Sequence, residues 1–165
     1  MPIHTAISEV VEAPLEATFT AATSIDPRKL ITKHGPLPAI THVDGHEAPW
    51  SAAGQARTYG FSDQSSVREE LTVFTQDFTF AYRLDDFTNL FRHLAREVNA
   101  EWHFTMRRAD RTRIDWVYTF TPRNFLTHWP LWFVVKLFWP GYLRKGLKQV
   151  RMKAENTPPP VKAEA

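Results

Sequence analysis

Two charged side chains stand alone on otherwise apolar strand faces, and any chemistry would begin with them. Side chains alternate along a strand with period two, so Arg57 shares a face with Tyr59 and Phe61. By the same rule Glu69 shares a face with Val67, Leu71 and Val73. A polar turn, Ser62-Asp63-Gln64-Ser65, joins the two segments into a hairpin that sends both charges into one interior. A buried charge without a partner is costly, so Arg57 and Glu69 must pair or meet a polar ligand. Three uses follow. The pair anchors a ligand hydroxyl, carbonyl or carboxylate; or Glu69 works as an acid/base while Arg57 polarises a carbonyl; or the two form a structural ion pair at a sheet edge. A register slip of one residue would turn Glu69 to solvent and bring in Glu70 instead.

Around this pair lies a set of inward-facing aromatic residues. Tyr59, Tyr82 and Tyr118 each carry a hydroxyl that wants a partner when buried, either a ligand or a local group. Leu71, Phe80, Trp102, Phe104 and Trp116 are wall residues on the same alternation. Together with Arg57 and Glu69, these are the candidate ligand contacts.

Other chemistries lack their residues. The chain has no cysteine, which excludes disulfides, thiolate catalysis and cysteine-ligated zinc. His34, His42 and His46, even with Asp44 or Glu47, match no metal-site template and read as solvated loop histidines. No glycine-rich phosphate loop and no Gly-x-Ser-x-Gly elbow occur. Neither a metal nor a cofactor is expected.

The elements that must position these residues follow in a telling order. A first strand, His4 to Glu12, runs into a helix opened by Pro14, with Leu15, Thr18, Phe19 and Ala22 at helical spacing. A second short helix starts at Asp26-Pro27, with Asp26 as its N-cap and Leu30 and Ile31 on its buried side. Residues 35–53, rich in Pro and Gly, are irregular, hold at most a short strand at Ala39 to Val43, and are the best candidate for a pocket mouth.

From Gly54 to Pro122 about five strand-like segments alternate, including Phe78-Phe80-Tyr82-Leu84, Trp102-Phe104-Met106 and Ile114-Trp116-Tyr118-Phe120. Residues 85–99 read as a loop with one helical turn, such as Leu90 to Val98. A long aromatic-rich helix follows from Phe125 to Ala154, begun at Pro130 and kinked or interrupted at Pro140-Gly141. No strand is followed by a crossover helix. The pattern therefore predicts an α+β domain in which one curved antiparallel sheet closes on a long C-terminal helix.

One domain over residues 1–154 is expected, with a disordered tail at 155–165 that begins near Asn156-Thr157-Pro158-Pro159-Pro160. Twelve Phe, six Trp and four Tyr exceed what a small closed core needs and favour a lined cavity. A net charge of +2 makes no case for nucleic acid. Lys136, Arg144, Lys145, Lys148, Arg151 and Lys153 cluster in the last helix as a solvated basic face. Its aromatic residues Trp129 to Tyr142 have three readings, taken in order: packing against the sheet, a dimer surface, or membrane contact. The apolar run Leu131 to Tyr142 is too short to span a bilayer, and no signal peptide is visible, so a cytoplasmic location is expected.

Several of these pieces together resemble a known family. Ala13-Pro14-Leu15-Glu16-Ala17, Gly54-x-x-Arg57, the Ser62-Asp63 turn, Glu69-x-Leu71, Tyr82 and Trp116-x-Tyr118-x-Phe120-x-Pro122 before a long last helix are similar to the polyketide cyclase/dehydrase branch of the START-like (SRPBCC) superfamily. The resemblance implies a helix-grip fold, in which a seven-stranded sheet wraps the C-terminal helix around an apolar cavity, with the glutamate matching Glu69 facing that cavity. Gln64 departs from the family turn, which commonly has Gly after Asp. The three Trp and two Pro of the last helix depart from its usual smoothness.

The resulting expectation is a carrier or sensor, monomeric or homodimeric, that binds a hydrophobic small molecule such as a lipid or polyketide-like compound. The alternatives are a cyclase/dehydratase-type enzyme using Glu69 and Arg57, and a membrane-associated interaction module built on the last helix.

Overall fold

In the computed structural model, which describes residues 1–158, the chain forms seven strands and five helices. Strand β1 (Ile3–Val11) leads into helix α1 (Leu15–Ser24) and the short α2 (Pro27–Leu30). Then come β2 (Ile40–Gly45), β3 (Ala56–Phe61), β4 (Ser66–Thr75) and β5 (Thr79–Asp85). One helical turn, α3 (Phe91–Leu94), precedes the long strands β6 (Ala95–Arg108) and β7 (Arg111–Pro122), and α4 (His128–Leu137) and α5 (Trp139–Asn156) complete the order. The strands form one antiparallel sheet in the order β1-β7-β6-β5-β4-β3-β2, with α5 packed across its inner face. This is the α+β arrangement the element order predicts.

Local chemistry explains the helices that frame the interior. Asp26 caps α2 by accepting from the Arg28 amide at 2.9 Å, and Pro27 occupies the first helical position. Helix α5 then approaches α2 closely: a Cβ at Gly146 would stand 2.7 Å from the Leu30 carbonyl oxygen, so only glycine permits this contact.

The strands pack their aromatic residues into one half of the sheet. Trp102 and Trp116 are cross-strand partners with ring centroids 4.1 Å apart. Phe80 stacks on Trp102 at 5.3 Å, and Phe19 of α1 meets Phe80 and Phe104 edge-on at 6.0 and 5.0 Å. That half is solid. The excess of aromatic residues therefore fills space as much as it lines it, against the expectation of a broad hollow.

Other expectations need correction. Val73 is exposed, because a bulge between Leu71 and Val73 turns the rest of β4 over. Phe78 is also exposed, since it belongs to the turn that begins after Thr75, where Asp77 has φ of +58°. Met106 lies outside the core beside the register shift at the end of β6. The helical turn expected near Leu90 to Val98 is confined to Phe91–Leu94, and β6 begins at once with Ala95. Arg96, Glu97 and Glu101 obscure its alternation in the sequence, and pairing with β7 decides the matter. The short strand of the irregular region is Ile40–Gly45.

The long last helix is two helices. Pro140 has no amide hydrogen, and its ring opposes the carbonyl of Lys136 one turn earlier, so the ladder breaks between the two, at Phe138. Pro140 itself sits in the first turn of α5. Helix α5 continues to Asn156, past the expected boundary at 154. The rest of the expected tail, residues 159–165, lies outside the described residues.

Candidate functional site

The β3–β4 hairpin places Arg57 directly opposite Glu69, and Glu70 on the other face. Arg57 and Glu69 are 6% and 4% exposed, so the pair is buried rather than set at a wet edge. Arg57 Nε donates to Glu69 Oε2 at 2.7 Å, and the Tyr59 hydroxyl donates to the same oxygen. Glu70 instead meets Arg68 Nη2 at 2.5 Å on the outer face. The register in which Glu69 points inward is therefore the observed one.

A residue outside the sequence-derived set joins Arg57, Tyr59 and Glu69. The Arg57 guanidinium lies over the ring of Trp50, 3.9 Å from its centroid, and 5.1 Å from that of Tyr59. Trp50 comes from the irregular region and is tied down by its backbone N–H, which donates to the Thr23 carbonyl at 3.1 Å, and by the His46 ring stacked on it at 5.3 Å. The three histidines do different things. His46 supports Trp50, His42 bonds Asp44 at 3.0 Å in solvent, and His34 packs against Gly141. Among the described residues no group of His, Asp and Glu gathers in a way that could hold a metal.

Two hollows flank Glu69. The larger has a volume of about 60 Å³ and lies between the sheet and helices α2 and α5. Tyr59, Glu69, Tyr82 and Tyr118 form its sheet side together with Ile40, Phe61, Val67 and Leu84. Its opposite side is Leu30 and Ile31, the segment at Leu37 and Pro38, the loop residues Phe87, Asn89 and Phe91, and Trp139 and Tyr142 of α5. The smaller hollow, about 20 Å³, lies under Trp50 and is bounded by Arg57, Glu69, Phe80, Tyr82 and Trp102.

Of the sequence-derived set, Tyr59, Glu69, Tyr82 and Tyr118 border the larger hollow, and Arg57, Phe80 and Trp102 the smaller one. Leu71, Phe104 and Trp116 border neither and belong to the packed core. Sequence reasoning missed the α2 and α5 side of the wall. Leu30 and Ile31 were legible as buried. Phe87, Phe91, Trp139 and Tyr142 carry no periodic signal of facing a hollow.

The polar inventory is rich in donors. The Tyr82 and Tyr118 hydroxyls share one hydrogen bond of 2.8 Å, which leaves one hydroxyl proton free. The buried indole nitrogens of Trp102, Trp116 and Trp139 find no acceptor among the described residues. Tyr142 is spent, donating to the Pro38 carbonyl at 2.6 Å and so pinning α5 to the cavity mouth. The one carboxylate, Glu69, already accepts from Arg57 and Tyr59.

Burial raises all four tyrosines above their ordinary pKa. The Glu69 carboxylate adds to the rise at Tyr59 and Tyr82, and Tyr82 to that at Tyr118. The hydroxyls therefore act as neutral donors. Burial works against the charge on Arg57, but the Glu69 carboxylate more than offsets it, and Arg57 stays a cation.

A volume of 60 Å³ holds on the order of four water molecules, whereas pockets for drug-sized ligands span roughly 300–1,000 Å³. The hollow is thus narrower than the expected lined cavity. The large rings of Phe87, Phe91, Trp139 and Tyr142 occupy the space between sheet and helix.

Solved structures share this architecture. Major latex-like protein 151 from Panax ginseng superposes with a TM-score of 0.64 at 14% identity, over 95% of this chain and 99% of that one. The ZhuI aromatase/cyclase from Streptomyces sp. R1128 gives 0.64 at 15% identity, over 94% of each chain. The protein XoxI from Bacillus cereus gives 0.61 at 16%, over 93% of this chain and 96% of that one. At these identities the likeness is one of fold. No curated protein matches the sequence. With a helix-grip sheet, a terminal helix across it and a hollow between them, the chain also matches the family model for polyketide cyclase / dehydrase and lipid transport over residues 2–155, and it belongs to that family.

Proposed function

We propose that the protein binds a hydrophobic small molecule between the sheet and α5, as a carrier or sensor, with an acceptor group of the ligand turned toward the tyrosine cluster beside Glu69. The observation that carries this reading is the composition of the larger hollow: an almost wholly apolar wall with Tyr59, Tyr82, Tyr118 and Glu69 gathered on its sheet side. Two donors on the larger hollow, the spare Tyr82/Tyr118 hydroxyl proton and the Trp139 indole N–H, support a ketone, quinone or carboxylate over a simple hydrocarbon, because a donor left unpaired in an apolar site is costly. Admission of anything beyond a few atoms requires the Phe87–Phe91 loop or the Leu37–Pro38 segment to move away from Trp139 and Tyr142.

The family description names lipid transport beside polyketide cyclase and dehydrase, and an aromatase/cyclase is built on the same fold, which supports binding and cyclisation alike. Binding is ranked first for a geometric reason. Arg57 borders only the smaller hollow, with its Nε on Glu69 and its face on Trp50, so it is poorly disposed to polarise a carbonyl in the larger one. An enzymatic reading retains Glu69 as the base, with Tyr59 hydrogen-bonded to its Oε2.

The test is native mass spectrometry and solvent extraction of the purified protein, followed by titration with aromatic ketones and fatty acids. A co-purifying hydrophobic molecule, or saturable binding that Tyr82→Phe/Tyr118→Phe weakens, is the expected result. An empty protein that binds no member of either class would overturn the reading.

A further inference from the structure

We infer that α4 and the loop before it form a docking surface for a lipid bilayer that carries anionic headgroups. The helix has two unlike faces. Leu131 and Val135 are fully buried, while Trp129, Trp132, Phe133 and Leu137 on the opposite side are all at least 40% exposed. Phe125 and Leu126 just upstream are 82% and 69% exposed. Scattered apolar residues on a surface mean little, but six contiguous large ones on one helix and its lead-in make an unusual patch.

Charge selects the occupant. From Thr121 to Gln149 the chain carries Arg123, Lys136, Arg144, Lys145 and Lys148, and no Asp or Glu; Arg151 farther along is already paired with Glu9 and Glu155. Arg144 and Lys148 are exposed on α5, two to three turns beyond the patch. Lys136 is exposed on the same helix, with its ammonium donating to the His4 carbonyl at 2.6 Å. A second copy of the chain meets this face poorly, because a two-fold contact would set these cations against themselves. A bilayer surface with anionic lipids suits both halves of the pattern: aromatic rings at headgroup depth and cations against phosphate and carboxylate. No described helix is long and apolar enough to cross a membrane, so the contact is interfacial.

The position of α4 links this surface to the hollow. Helix α4 ends at Leu137, one residue before the Phe138 break and two before Trp139, which borders the hollow. A bilayer that takes up α4 is therefore coupled to Trp139, the wall residue from which the Phe87–Phe91 loop must part to admit a hydrophobic molecule.

The experiment is sedimentation of the full chain with phosphatidylcholine vesicles, with and without phosphatidylserine, read alongside the tryptophan emission. Binding to the anionic vesicles only, with a blue shift and loss in high salt, is the expected result. W129S/W132S/F133S should weaken it about tenfold or more, since each side chain withdrawn from an apolar phase forfeits on the order of a factor of ten. R144E/K148E should weaken it while leaving the apolar face intact. Because every substituted residue is on the surface, unchanged circular dichroism serves as the folding control. Equal binding to neutral vesicles, no binding to either, full binding by both variants, or a dimer that W129S/W132S/F133S returns to monomer would each overturn the inference. A protein that docks on vesicles but holds no ligand would count against the proposed function alone.

Discussion

Glu69→Leu is the sharpest perturbation of the interior. It leaves the Arg57 guanidinium 6% exposed with no anion, and it strands the Tyr59 hydroxyl that donates to the same oxygen. Breaking a buried pair from one side costs about 3–5 kcal/mol. For a domain of this size each kcal/mol lowers Tm by roughly 2–4 °C, so the loss should be about 6–20 °C. Removing all three polar groups together, in R57M/Y59F/E69L, restores an apolar interior of similar volume. It should return stability to within about 1 kcal/mol of the parent, or above it. The assay is urea unfolding of the parent, the single variant and the triple variant, followed by circular dichroism. The reasoning is refuted if Glu69→Leu costs under about 1 kcal/mol, or if the triple variant is as unstable as the single one. A triple variant that is stable yet binds no ligand would show that the polar cluster is kept for the ligand.

Three further outcomes are expected. All four tyrosines of the chain are buried with raised pKa, so their hydroxyls stay protonated in the fold while the unfolded chain ionises from about pH 10. Their stabilising contribution is whole below that pH and falls by about 1.4 kcal/mol per tyrosine per pH unit above it, so tyrosinate absorbance should rise together with unfolding and not before it. Asp115 is resisted by burial but held below the usual carboxylate range by the Ser8 hydroxyl and Arg113. It stabilises above about pH 4 and loses that effect as pH falls, so Asp115→Asn should flatten the acid side of a stability profile by up to about 1 kcal/mol. Gln64 stands at φ of +67°, in the left-handed region that favours Gly, and Gln64→Gly should add about 0.5–1 kcal/mol in urea unfolding.

Much of this architecture can be read without coordinates, and the residues show why. Arg57 and Glu69 are legible because a two-residue period across a short turn leaves only two registers, and only one buries Tyr59 and Leu71 with them. Val73 is not legible, because a bulge after Leu71 depends on how β5 pairs and not on β4 alone. Trp50 is invisible for a different reason: it reaches Arg57 from a stretch with no periodicity, through contacts to Thr23 and His46. The size of the hollow depends on whether Phe87, Phe91, Trp139 and Tyr142 line it or fill it, and composition is the same in both cases. Pro140 announces a break, but where the ladder gives way is set by the carbonyl its ring opposes, one turn earlier.

Ligand binding requires the space between the sheet and α5 to open for a molecule with an acceptor group. The indole N–H resonances of the six tryptophans report on this directly, assigned by single Trp→Phe replacement and followed while 1-tetralone is added. Trp139 borders the larger hollow with a buried nitrogen that lacks an acceptor, whereas Trp129 and Trp132 lie outside it. The account predicts a saturable shift of the Trp139 signal, still Trp129 and Trp132 signals, and a much weaker response to tetralin, which has the same rings and no oxygen. Movement of Trp129 and Trp132 alone, or an unmoved Trp139 signal at saturating ketone, would contradict it.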